Sequence, residues 1–180
     1  RKNPNWWGLG EKGYSDGNVT DIGYSPGKNE GTRMAALLSG DLDFGLDPAV
    51  QDVQKLKREK SVRVYEGREN RVIFLGMDQA RDELLYSNVK GKNPFKDVRV
   101  REAFFKAIDA EAIKARVMRG LSTPSALMIA PELFAHSKDF VRPKYDPDGA
   151  RKLLAEAGYP NGFEVGMDCP NDRYVNDEAI

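Results

Sequence analysis

The chain has 180 residues, and its 28 Lys and Arg balance 28 Asp and Glu, so the formal net charge is zero. Nucleic-acid binders usually carry a basic excess, which sets that class aside. Hydrophobic residues at 40% and charged residues at 31% fit an ordered protein rather than a disordered one, and the apolar runs 72–75 and 126–130 are far too short to span a bilayer. Cys169 is alone, so no internal disulfide forms, which leaves the compartment open. The chain opens on Arg1 with no initiator Met and no export signal, as expected of a piece of a longer protein.

Residues 3–17 are rich in Gly, Asn and aromatics and are expected to be irregular, with Trp6 and Trp7 serving burial. Residues 18–25 alternate weakly through Val19, Ile22 and Tyr24, a strand pattern. Residues 30–39 form a short amphipathic helix on Met34, Leu37 and Leu38, ended by Gly40, and 41–46 read as a strand. Arg33 on that helix is expected to be a solvated or locally paired surface charge rather than a ligand-binding arginine. Asp47 and Pro48 read as cap and first helical residue of a helix running to Lys60. The basic residues Lys55, Lys57, Arg58 and Lys60 suit its negative end. Residues 61–66 alternate as a strand, and 71–78, more continuously apolar, read as a strand buried on both faces.

Residues 79–92 carry no clear period. The strongest local signal follows. Asn93-Pro94 marks a turn, Asp97 can cap a helix, and Val100, Ala103, Phe104, Ala107 and Ile108 recur as one apolar stripe. Asp109 caps a second helix, 110–119, which closes at Gly120. Helices joined this tightly are expected to cover something apolar, a sheet for preference. Residues 122–142 form an irregular excursion, where His136, the only histidine, reads as a surface side chain. Asp146 and Pro147 open a last helix whose stripe is Ala150, Leu153, Leu154 and Ala157, stopped at Gly158, and 163–167 read as a strand. After it, Asn171, Asp172, Arg173, Tyr174 and Asn176 cluster amide, carboxylate, guanidinium and phenol groups. Arg173 can pair with a carboxylate and Asp172 with an ammonium, so the segment is the candidate ligand contact. Helix capping by Asp172 or Asn176 with a local Asp–Arg pair is the alternative, and the two stay open here. There is no phosphate-binding Gly loop, nucleophile elbow or metal-ligand spacing, hence no catalytic residue, metal or cofactor is expected.

Asn93, Pro94, Phe95, Asp97, Arg99, Val100, Arg101, Ala103, Ala107, Ile108 and Asp109 resemble the N-P-F-x-D-x-R-V-R-x-A-x-x-x-A-I-D pattern of the family 5 extracytoplasmic solute-binding proteins of ABC transporters. The Trp6-Trp7-Gly8 loop, the 32–43 unit and the YDPDGARKLLAEAGYPNGFEV stretch are similar to further patterns of that family, in its order. The resemblance implies an α/β, partial periplasmic-binding-protein type II-like fold, with mixed sheets flanked by helices. It implies a central fragment spanning parts of two lobes: 1–78 as the end of lobe one and 79–180 as the start of lobe two. Gly76, Met77 and Asp78 then lie at the hinge, and the 171–176 segment borders the cleft. The implied function is capture of a solute outside the cytoplasmic membrane, with short peptides as the default ligand, and delivery to ABC permease subunits by hinge closure. No bond is made or broken. A peptide-holding chaperone or signalling receptor on the same scaffold is the alternative, and a hydrolase using Asp168, Cys169 or His136 a remoter one. A fragment of this kind is expected to bind ligand poorly by itself and to self-associate through uncovered surfaces.

Overall fold

The computed structural model describes residues 3–8, 19–130, 133, 139–170 and 180. The chain divides into two compact units, Arg1–Leu46 and Asp47–Ile180. The first unit holds helix α1, Glu30–Ser39, at the expected bounds. Asn29 caps it, its side-chain oxygen accepting from the Thr32 amide at 2.9 Å, and Gly40 closes it at φ 85°, where an L side chain would be strained. The Arg33 guanidinium donates to the Gly27 carbonyl. Trp6 lies over Gly8, where a β-carbon would stand 2.6 Å from the indole, while Trp7 is 70% exposed.

In the second unit, helix α2 spans Val50–Leu56 and buries Val50, Val53 and Leu56. It is shorter than the sequence suggests. Asp47 adopts φ 48°, and Ala49 is the N-cap, with no side-chain bond to the first turn. Asp47 therefore turns the chain and does not cap it. A 3-10 turn, Pro94–Lys96, leads into α3, Val98–Ala107, capped by Asp97 as expected. Ile108 is extended and closes that helix. Asp109 caps α4, Ala110–Ala112, which widens into a π-helical turn, Ile113–Val117, where a uniform α-helix is expected from the sequence. Gly120 takes the left-handed conformation at φ 85°. Helix α5, Pro147–Glu156, starts with Asp146 as cap and Pro147 in the first turn, and Gly158 ends it at φ 91°.

Helices α3 and α5 pack on each other. They run antiparallel and are tied at both ends. The Arg99 guanidinium donates to the Glu156 carbonyl at 2.8 Å, satisfying an acceptor that the last turn of α5 leaves open. At the other end the Asp146 amide donates to the Lys106 carbonyl at 3.0 Å. The apolar stripe of α3 thus meets a helix, where a sheet is expected from the sequence. Val100 is fully buried and Ala103 nearly so, whereas Ala107 faces solvent. Val100 joins Leu84 and Phe95 in a core against which Met77, Phe104, Leu154, Tyr159, Phe163 and Val165 pack. The Phe95 ring stands edge-on to Phe104 at 5.3 Å and to Phe163 at 6.0 Å, the offset geometry that ring quadrupoles favour.

Among the described residues, the stretches expected as strands form no ladder; the β pairing is a single antiparallel bridge between Ser87 and Val165. Residues 71–78 are the sharpest departure, since Ile73, Phe74 and Leu75 are 49%, 58% and 46% exposed. A strand buried on both faces needs neighbours on two edges and covers on two sides. The described residues supply neither. Phe95, by contrast, is 6% exposed. Phe95→Ala is expected to destabilise the second unit by about 3–5 kcal/mol, read as a lowered denaturant midpoint by urea titration.

Candidate functional site

Met77 and Val165 pack on the same core, each near a segment that sequence reasoning ties to ligand handling, 76–78 and 171–176. Asn93 makes the first anchor. It is 6% exposed, and among the described residues it is the buried polar side chain. Its amide nitrogen donates to the carbonyls of Asp78 and Arg81, both at 2.9 Å, and its oxygen accepts from the Phe95 amide at 2.9 Å. Both amide hydrogens and one oxygen lone pair are used, which is what burial of such a group demands. Asp78 organises the same turn from its own side: its carboxylate accepts from the amides of Ala80 at 3.0 Å and Arg81 at 3.1 Å and pairs with the Arg81 guanidinium. The Arg81 amide bond is the leading reason that this carboxyl sits below the usual carboxylate range.

The helix entry beside it is wired by charge. The Asp97 carboxylate accepts from the Arg99 amide at 2.9 Å and takes the Arg99 guanidinium, the shortest contact being 2.6 Å. The guanidinium hydrogen bond holds the Asp97 carboxyl low and raises Arg99. Arg101 donates to the carbonyls of Phe95 and Lys96 at 2.7 and 3.1 Å. Lys96 pairs with Asp82 at 2.6 Å and holds that carboxyl low as well.

The second anchor joins residues 86–88 to 164–166. The Ser87 hydroxyl donates to the Glu164 carbonyl at 2.7 Å, the Glu164 amide donates to the Asn88 side-chain oxygen at 2.9 Å, and the Gly166 amide donates to the Tyr86 carbonyl at 2.6 Å. These six residues line an open groove of about 440 Å³. The approach is closest at Gly166, where a β-carbon would lie 2.6 Å from that of Tyr86. The chain leaves this crossing through Met167 to Pro170, with Cys169 exposed. Asn171, Asp172, Arg173, Tyr174 and Asn176 follow it and lie outside the described residues, as does His136. No group of three or more His, Cys, Asp or Glu side chains suited to a metal occurs among the described residues, and none of their helices is long and apolar enough to cross a membrane.

Sequence reasoning takes Asn93 as a turn marker and leaves 79–92 unread. Both hide their function in side-chain-to-backbone bonds, which have no periodicity. The available signal is composition: Asp78, Asp82, Ser87, Asn88 and Asn93 are of the types that bond neighbouring backbone.

Comparisons with known proteins bear on the whole chain. The family described as bacterial extracellular solute-binding proteins, family 5 Middle, matches residues 1–178. The heme-binding protein A of Haemophilus influenzae is 35% identical over 134 residues, 74% of this chain and 22% of that protein. The glutathione-binding protein GsiB of Escherichia coli is 30% identical over 149 residues, 83% of this chain and 27% of that protein. The chain thus spans about a quarter of the length of these relatives.

Two outcomes follow from the geometry. Gly166→Ala pushes a methyl into Tyr86 and is expected to cost about 1–3 kcal/mol, with nuclear magnetic resonance shifts at Tyr86 and Glu164 reporting the opened crossing. Asp97 is held below its unfolded pKa, so its contribution is complete above about pH 4 and is lost as pH falls through the folded value. The melting temperature is therefore expected to fall as the pH drops below about 4, and less steeply in Asp97→Asn.

Proposed function

Because the chain belongs to family 5 of the bacterial extracellular solute-binding proteins, we propose that it is part of the substrate-binding component of an ABC importer. It captures a small solute in the periplasm or another extracytoplasmic space and hands it to the permease subunits. The observation that carries this reading is the family match across residues 1–178. Two relatives named for binding, with no chemistry in their names, support it. Capture requires no bond to be made or broken, and the protein is no enzyme.

Short peptides remain the first ligand class. Glutathione, the solute in one relative's name, is itself a modified tripeptide with free carboxylates and an ammonium. Heme, in the other's, also presents carboxylates. Carboxylate recognition is thus common to both, and Arg173 is the residue of this chain suited to it, forming a planar two-bond pair. Asp172 takes an ammonium, and Asn171, Tyr174 and Asn176 complete the polar contacts. In this reading residues 1–78 belong to lobe one and 79–180 to lobe two, with Gly76, Met77 and Asp78 at the crossover. Closure about that point lets cleft groups replace the ligand's hydration.

The test is calorimetry on the full-length protein with reduced glutathione, mixed di- to pentapeptides and hemin as separate probes. Binding of at least one carboxylate-bearing probe is expected, with Arg173→Ala weakening it roughly tenfold or more. Failure of all three to bind, or chemical conversion of any of them, overturns the reading.

A further inference from the structure

The crossover has one loose side and one fixed side. Among the described residues, no backbone–backbone hydrogen bond ties 72–77 to another segment. Ile73, Phe74, Leu75 and Gly76 are exposed, and a β-carbon on Gly76 would meet only the far edge of the Phe74 ring, at 3.9 Å. The character changes within one residue. Met77 packs on the Leu84–Phe95–Val100 core. The Asp78 carbonyl is held by Asn93, the Asp78 carboxylate caps the 80–81 turn, and the Arg81 carbonyl is held by Asn93 again.

We infer that Asn93 is a conformational clasp: it welds 77–81 to the head of α3, so that bending of the crossover is confined to Gly76 and the residues before it. This rests on the hinge-closure reading above and narrows it, moving Met77 and Asp78 from the flexing part to the rigid one. The chemistry suits the task. A buried primary amide reaches two carbonyls three residues apart while its oxygen holds the Phe95 amide, so one side chain bridges the incoming chain and the helix entry. Asp in its place keeps the acceptor for Phe95 but turns the two donor contacts into oxygen facing oxygen. Ala loses all three. The pair of substitutions therefore separates the clasp from the cap.

The experiment is residue-resolved amide hydrogen exchange on the full-length protein without ligand. In the wild type, Gly76 is expected to exchange at least roughly tenfold faster than Ala80 and Arg81, whose amides are bonded to Asp78. In both Asn93→Asp and Asn93→Ala, exchange at Ala80 and Arg81 rises by about tenfold or more. Phe95 follows only in Asn93→Ala, and the amides of α5 stay unchanged. Unaltered exchange at Ala80 and Arg81 in Asn93→Asp overturns the clasp. So does a rise shared equally by α5, or a wild-type Gly76 as protected as Arg81; that wild-type comparison stands even where a variant does not fold. Closure has its own readout, small-angle scattering with and without reduced glutathione once binding of that probe is established. An unchanged scattering profile then counts against hinge closure, and the exchange pattern still decides the clasp.

Discussion

A primary amide buried away from water has to spend its hydrogen-bonding capacity on the protein around it, and Asn93 spends it on three separate backbone sites. Burying such a group unsatisfied costs several kcal/mol, of order 2–7, so the three bonds stand or fall with the local fold. They bring the turn at 78–81 against the 3-10 entry of α3, and that contact seals one edge of the Phe95 core. Met77 on one side and Phe163 with Val165 on the other reach the same core from distant parts of the chain. The second unit is therefore organised around a polar clasp and the aromatic cluster it closes, with the antiparallel α3–α5 pair as its frame.

Charge plays a supporting part of a particular kind. The ion pairs Arg99–Asp97 and Lys96–Asp82 lie at the surface, where Coulombic attraction by itself contributes little. Their value is in direction. The Arg99 guanidinium also holds the final-turn carbonyl of α5, and Arg101 collects two carbonyls from the 3-10 turn. Each arginine spends its fork on backbone acceptors that a helix end or a tight turn leaves open.

The two anchors also differ in their exposure to solvent. At Asn93 the side chain is buried, with one bond buried and two half-buried. At the 86–88 and 164–166 crossing the bonds are exposed, and closeness is enforced by the missing side chain of Gly166.

The helices were legible in the sequence because their determinants are local. Asn29, Asp97, Asp109 and Asp146 cap where a short polar side chain precedes an apolar period, and Gly40, Gly120 and Gly158 take the positive φ that a β-carbon resists. The family was legible too, since the pattern from Asn93 to Asp109 is a string of such local requirements. What the sequence could not settle was partnership. That α3 meets α5, that Asp47 turns the chain without capping α2, and that Ile73, Phe74 and Leu75 of the apolar 71–78 stretch are exposed depend on residues far away along the chain or on none. Asn93 makes the same point at one residue: its own letter says turn, and only the arrival of Asp78 and Arg81, 15 and 12 positions earlier, makes it a clasp. Caps and turns are decided within a few bonds of the backbone, whereas packing and side-chain bridging are decided by which surfaces the folded chain brings together.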